Sequence, residues 1–328
     1  ACPSLKNDDG PAIDFAKTLC LARSSRILAG MVIVITGGTG LLGKATARTL
    51  ESGGHEVRIL SRNASARFRW DPVHAYIDKS VFEQADAVVH LAGETISGRW
   101  TAEKKRQIIE SRSRSTDLLA EAISSTGLKP VVICASAIGY YGDRGKHVCM
   151  ETDGPGSGFL CDTTRIWEER LADIPASRKV ILRIGVVLSM LGGALPQMVL
   201  PVKMFAGSPF GSGRQYISWI HIEDMVKMIC CSIDRSMEGA LREDLSGTYN
   251  AVAPHPVIND DFMREIAATL SKPYFLPAVP SFLLKGMLGE MSVLLTDSIR
   301  VSANRIQDAG FSFKFPDLKA ALGSLLKK

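Results

Sequence analysis

Four glycines carry the clearest chemistry in the sequence. Within MVIVITGGTGLLG (31–43), Gly37, Gly40 and Gly43 give G-x-x-G-x-x-G, while Gly38, Gly40 and Gly43 give G-x-G-x-x-G. In a turn of this kind glycine supplies positive φ without a Cβ clash. The middle glycine lets backbone approach a pyrophosphate, and the last lets the next helix pack closely on its sheet. A helix opening at Leu41 or Leu42 then aims its unpaired N–H groups and positive dipole end at the phosphates. The motif follows a predicted strand and opens a predicted helix, which is the context that gives it meaning. It predicts a dinucleotide site.

The end of the second predicted strand bears on which dinucleotide. An NAD site places an Asp or Glu about 20 residues along, bonded to the ribose 2′-hydroxyl. Here Ser61 and Arg62 stand at that place, with no acid between Val57 and Trp70. A carboxylate repels a 2′-phosphate, whereas a guanidinium takes it in a charge-assisted, bidentate contact. NADP(H) is favoured over NAD(H). The plainer alternative is that Arg62 only solvates a strand end.

The elements that must position these residues are legible as runs. MVIVI (31–35), HEVRILSR (55–62), ADAVVHLAG (85–93), PVVICAS (130–136) and KVILRIGVVLS (179–189) read as strands. Helical stretches separate them: LLGKATARTLESGG, a long helix from Thr101 to about Ser124, and one around TTRIWEERLADI. Strands apolar on both faces, alternating with helices, indicate a parallel sheet covered on both sides. The fold class is α/β, a Rossmann-like doubly wound parallel sheet. Beyond Ser189 the chain turns rich in Gly and Pro, and its end is helical with Pro punctuation. We divide it into an N-terminal extension (1–30), a dinucleotide-binding domain (31–253) and a small, mainly helical C-terminal domain on the substrate side (254–328).

The 328 residues are 46% hydrophobic and 22% charged, the balance of a globular protein with a substantial core. The net charge of +5 suits a phosphate-bearing small molecule. Lys104, Lys105, Arg106, Arg112 and Arg114 lie on the long helix and read as a solvated face. No interleaved aromatics suggest base stacking, so no nucleic-acid partner is expected. Seven cysteines in no metal-type spacing suggest scattered thiols in a reduced compartment and no metal site. No apolar run reaches the ~18 residues of a membrane span. From Phe15 to Gly30 there are Lys17, Arg23 and Arg26 but no acid. That leader reads either as the remnant of an organellar targeting segment, mitochondrial ahead of cytoplasmic, or as a divergent leader. It also offers an arm for a protein partner.

TGGTGLLG, DAVVHLAGE and SAIGYYG together resemble an extended or atypical short-chain dehydrogenase/reductase. FGSGRQYISWIHIEDMV, GTYNAVAPHPVINDDF and GFSFKFPDLKAAL narrow the resemblance to a sugar-epimerase-like family of atypical reductases with a small helical C-terminal domain. The resemblance implies that Thr36, Gly37, Gly38, Thr39, Gly40, Leu41, Leu42 and Gly43 hold the pyrophosphate. It places Ser61 and Arg62 at the adenosine end, and Leu91, Ala92, Gly93 and Glu94 under the cofactor's middle.

The same resemblance implies a Tyr activated by a Lys in Y-x-x-x-K, with a Ser or Thr orienting the substrate oxygen. A phenol near pKa 10 needs that cation to work near neutrality. The helix that should carry the pair reads GFLCDTTRIWEERLA, without Tyr or Lys. Counting back from Glu169 gives Cys161 and Arg165; from Glu168, Leu160 and Thr164. Ala137 takes the usual Ser/Thr position, one step from Ser136. Tyr140, Tyr141 and Ser136 are the remaining proton-handling candidates, with both tyrosines as wall residues the alternative. Cys161 reads as a buried small hydrophobe and His221 as a domain-junction element, each with a site role as the other option. Two functions remain open: an NADP(H)-dependent epimerase or oxidoreductase acting on a small oxygenated, possibly sugar- or nucleotide-related, substrate, or a dinucleotide-binding structural, regulatory or assembly subunit of a larger complex.

Overall fold

The structure is a computed structural model that describes residues 30–234 and 241–327. The leader read as a targeting remnant or partner arm lies, apart from Gly30, outside the described residues. Twelve elements suffice to place the site. The strands are β1 (Val32–Thr36), β2 (Glu56–Ser61), β3 (Phe68–Asp71), β4 (Tyr76–Ile77), β5 (Ala87–His90), β6 (Val131–Ala137), β7 (Val148–Cys149), β8 (Arg178–Ile184), β9 (Val186–Leu188), β10 (Tyr216–Ile217), β11 (Trp219–His221) and β12 (Gly247–Ala251). Eight of them form one sheet in the order β12-β8-β6-β5-β1-β2-β3-β4. Every pairing in it is parallel except β3 with β4.

β1 has no room for a polar face: Ile33, Val34 and Ile35 have no exposed surface. Ile33 and Ile35 point into one core and Val34 into the other. The first core is completed by helices α1 (Leu41–Ser52) and, later in the chain, Ile222–Ile233. The second is completed by α2 (Ala102–Thr126) and α3 (Phe159–Ala172), through Leu118, Leu119, Trp167 and Leu171. This is the doubly wound layering expected from strands apolar on both faces.

Strand order reverses at β1: β2, β3 and β4 continue to one side, and β5, β6, β8 and β12 to the other. Thr36 pairs with both Leu60 and His90, so Gly37, Ser61 and Leu91 leave the sheet level with one another. A crevice outside the carboxyl ends of the strands at such a switch point is where open α/β sheets take ligands.

The later part builds a third core, in which α4 (Leu195–Lys203), α6 (Asn259–Thr269) and the terminal helix Leu318–Leu326 meet around Trp219 and Phe262, while α5 (Ile222–Ile233) stays with the first. Between α6 and that helix come α7 (Ser281–Leu288) and α8 (Val293–Thr296). His221 ties this region to the sheet domain. Its ring lies 3.9 Å from that of Phe315, its Nδ1 accepts from the Glu223 N–H, and its Nε2 sits 3.2 Å from Ser324 Oγ. Asp224 accepts from the backbone of both Lys314 and Phe315.

The α2 cations are paired, not free. Lys104 bonds Glu94, Lys105 bonds Glu290, Arg106 spans Glu103 and Glu110, and Arg114 reaches Glu110. Arg112 departs from the solvated face expected of it. It is half-buried beneath the loop after β5, where its guanidinium donates to Glu94 O and Ile108 O and lies 5.0 Å from the centre of the Trp167 ring.

Candidate functional site

The glycine turn is built as tightly as its residue types require. Gly37 has φ +70°, and a Cβ there would lie 2.8 Å from the Leu91 carbonyl. A Cβ on Gly43 would lie 2.2 Å from Gly37 O and 2.6 Å from Gly38 Cα, so α1 presses directly on the turn. Gly40 is the N-cap of α1 in extended conformation, with no side chain capping the first-turn N–H groups. Its own N–H donates to Gly37 O at 3.0 Å.

Beside the turn lies a cavity of about 260 Å³ lined by Gly37, Thr39, Gly40, Ser61, Arg62, Leu91, Ala92, Gly93 and Glu94, together with Leu60, Trp70, Pro72 and Ser111. Nine of the residues singled out in the sequence thus meet at one cavity. Thr36, Gly38, Leu41, Leu42 and Gly43 stand behind or beside it. Gly38 packs on Ile59, and Leu42 on the first core. Thr36 is buried; its hydroxyl is 2.7 Å from His90 Nδ1 and accepts from the Ala92 N–H. His90 in turn reaches Thr116, and burial, with Arg112 nearby, pushes its pKa down to about 4. A neutral imidazole here orients the loop after β5.

Trp70, Pro72 and Ser111 were not legible as site residues. Trp70 and Pro72 arrive on a β3–β4 hairpin that the short stretch FRWDPVHAYI does not announce. Ser111 accepts from the Glu94 N–H across seventeen positions of sequence. Lys104, at 2.7 Å, with Arg62 and Arg112 nearby, holds the Glu94 carboxyl below the usual range. The Arg62 guanidinium is exposed and makes no hydrogen bond or ion pair among the described residues.

A second cavity, about 450 Å³, opens past the end of β6. Gly139, Gly142 and the start of α3 (Ser157 to Cys161) form one wall; Ser281, Lys285, Glu290, Thr296 and Asp297 form the other. Behind the first wall runs a buried polar network. Arg183, 4% exposed, donates twice to Glu168 at 2.9 and 2.8 Å and once to the Tyr141 hydroxyl at 3.0 Å. Tyr141 donates to Asn250 at 2.7 Å, and Ser136 to Glu168 at 2.6 Å. The Arg183 guanidinium also lies 3.6 Å from the centre of the half-buried Tyr140 ring.

This geometry revises the expectation for Ser136 and Tyr141. Both hydroxyls are committed inside the domain, and burial outweighs Arg183 to push the Tyr141 phenol up to about 12. Neither lines the second cavity, nor does Tyr140, whose ring packs under Arg183.

Residues 33–250 match the model of the NAD dependent epimerase/dehydratase family, and 279–325 that of a domain of unknown function, DUF1731. The chain belongs to this epimerase family. Epimerase family protein YfhF of Bacillus subtilis is 37% identical over 307 residues, covering 90% of this chain and 98% of that one. The chloroplastic SDR39U1 homolog of Arabidopsis thaliana is 33% identical over 317 residues, covering 93% and 89%. The crystal structure of human epimerase family protein SDR39U1 with NADPH superimposes with a TM-score of 0.80 at 30% identity, covering 89% of this chain and 98% of that one.

The two acids from which the missing Tyr–Lys pair can be counted face different ways. Glu168 is the acid of α3 that turns inward, to Arg183, while Glu169 is exposed and pairs with Arg165. Counting from the inward acid puts Leu160 against Gly139 and Thr164 in the interior, its hydroxyl bonded to Leu160 O. Neither transfers a proton at neutral pH. Cys161 lines the cavity wall but is 2% exposed, its thiol donates to Ser157 O, and burial, with Asp162 and Asp297, pushes its pKa up. Asp297 is different. Its carboxyl lines the cavity without a hydrogen bond or ion pair among the described residues, and burial, with Asp143, pushes it up to about 6.

His147, Cys149 and Asp153 bring ligand-type atoms within 4.8 Å of one another. Asp153 already accepts from His147 and from the Met150 N–H, and burial pushes the core-facing Cys149 thiol up to about 11. Asp153 thus caps the turn, and Cys149 belongs to the first core.

Proposed function

We propose that this protein binds NADP(H) over the Gly37–Gly43 turn and carries out redox chemistry on a small oxygenated substrate in the 450 Å³ cleft. The observation that carries the reading is the switch-point cavity itself. A Cβ would fill its glycine cradle, no carboxylate ends β2, and Arg62 stands at its rim with no hydrogen bond or ion pair among the described residues to give up. The human relative's structure with NADPH supports it. Thr39, Gly40 and the first turn of α1 would hold the pyrophosphate and Arg62 the 2′-phosphate. Replacing Arg62 by Ala is expected to weaken NADPH by roughly 10- to 100-fold, the worth of a charge-assisted contact, and to leave NADH unchanged. Calorimetric titration of both dinucleotides checks this; equal losses would assign Arg62 to the strand end alone.

When bound, NADPH supplies a hydride to a carbonyl carbon. The alcohol oxygen so formed needs a proton, and we assign it to Asp297, a cleft carboxyl pushed up to about 6. Reduction is therefore expected to decline as pH rises through about 6, as Asp297 loses its proton. Asp297→Asn is expected to lower turnover by roughly 10²- to 10⁴-fold with NADPH affinity intact. The same group gives a readout independent of turnover. Its folded pKa is raised, so it favours folding at low pH and opposes it once ionised, above about 6. Asp297→Asn should thus melt higher than the parent at pH 7.5, and the gap should narrow toward pH 4. An unchanged turnover would remove Asp297 from the chemistry.

One observation favours a second reading, in which the fold binds a dinucleotide as a structural subunit. Counted from Glu168 the places of the proton-transferring pair fall on Leu160 and Thr164, and counted from Glu169 on Cys161 and Arg165; neither is a Tyr–Lys pair. A bound dinucleotide would then act by stabilising the fold. NADPH binding without consumption across a carbonyl panel would support it.

A further inference from the structure

The least expected surface of the molecule lies on the far side of the C-terminal helices. α7 reads SFLLKGML, yet only Leu284 of it is fully buried. Phe282 is 78% and Met287 70% exposed. The surface continues onto the end of α4 and the loop after it, through Met204 at 67% and Phe205 at 57%, and across to Phe275 at 73%. Contacts join these segments. Lys272 Nζ lies 4.2 Å from the centre of the Phe205 ring, Gly207 packs on Val202 and Tyr274, and Val279 exchanges backbone hydrogen bonds with Pro209 and Gly211 beside Ser281. Large exposed apolar side chains grouped in this way mark an interaction surface.

Charge decides what the surface fits. Residues 174–222 contain no Asp or Glu, and neither do residues 266–289. Lys203, Lys272 and Lys285 stand among the exposed apolar side chains. Of the carboxylates that flank these stretches, Asp260 is engaged by Arg264 and Tyr274 and Glu290 by Lys105, while Asp261 and Glu265 stand on α6. A second copy seated face to face would set lysine against lysine, with no acid within either stretch to pair them. Phenylalanine and methionine beside lysines that make no ion pair among the described residues, in stretches without acids, instead match the interface of an anionic bilayer.

We propose that this face docks the protein on the surface of an anionic membrane, the aromatic and Met side chains of α7 and the α4 end entering the headgroup layer and the lysines meeting lipid charge. No helix among the described residues is long and apolar enough to cross a membrane, so the attachment is peripheral. Ser281 and Lys285 also line the 450 Å³ cleft, which therefore adjoins the docked face.

Sedimentation of the full chain with vesicles tests this, comparing pure phosphatidylcholine with a mixture containing about 30% phosphatidylglycerol. Binding is expected only to the anionic vesicles and to weaken with salt. Phe282→Ser with Met287→Ser should lower partitioning by at least tenfold, and Lys203→Glu with Lys272→Glu by at least roughly fivefold per lysine, the worth of one cation near an anionic surface. Retained NADPH affinity in both variants shows that they fold. Three results would overturn the proposal. They are no binding to anionic vesicles, binding undiminished by the Phe282/Met287 pair (which would assign it to the basic leader), and a concentration-dependent dimer in light scattering that this pair abolishes.

Discussion

Gly43→Ala is expected to abolish measurable NADPH binding and to cost roughly 1–3 kcal/mol of stability, the range for forcing a methyl into a packed site. The clash is with backbone, Gly37 O at 2.2 Å and Gly38 Cα at 2.6 Å, so no side-chain rotation relieves it. Either α1 lifts from the sheet or the turn moves into the space meant for phosphate. Gly37 cannot yield readily, because its φ of +70° and the Leu91 carbonyl 2.8 Å from its missing Cβ fix it on the other side. Gly323→Ala is the matched control. It lies within the last helix with open space around its Cβ, and alanine there should gain roughly 0.5–1 kcal/mol. Thermal melts with NADPH titrations of both variants check the pair. Unimpaired binding in Gly43→Ala would mean that the turn does not face the cofactor.

Glu168→Ala carries the largest expected loss of stability. It strands Arg183, 4% exposed, beside two aromatic rings, and removes the acceptor of Ser136. Breaking a buried pair by deleting one partner costs roughly 3–5 kcal/mol. In a chain of this length that is about 4–8 °C in melting temperature. The paired replacement Glu168→Leu with Arg183→Met should recover most of it, since neither half is then left charged and unpaired. Melts of the single and double variants decide the matter. A double variant no better than the single would mean that the pair serves chiefly as scaffolding for Tyr141 and Asn250.

The sequence was most informative where structure is local. The β1–turn–α1 unit is a strand, a positive-φ requirement and a helix start within a few residues, and Gly37 to Gly43 could meet that requirement nowhere else. Arg62 was legible because it sits at a strand end at a known remove from the glycines. What escaped depends on contacts between distant positions. Tyr141 looked available because its partners, Asn250 and Arg183, lie 109 and 42 residues away. Arg112 looked solvated because nothing in the charge run tells which turn of α2 faces the loop after β5. Asp297 was invisible as a cleft residue, since its surroundings form only when the region after α8 closes on the β6–α3 segment. The apolar run YFLPAVPSFLLKGML shows the converse: its hydrophobicity was plain, but its exposure is a property of packing.

Fluorescence titration of the purified full chain with NADPH and NADH tests the central claim most directly. The account predicts saturable NADPH binding at least roughly tenfold tighter than NADH, the preference lost in Arg62→Ala. Failure to bind either dinucleotide, or a preference for NADH, would contradict it.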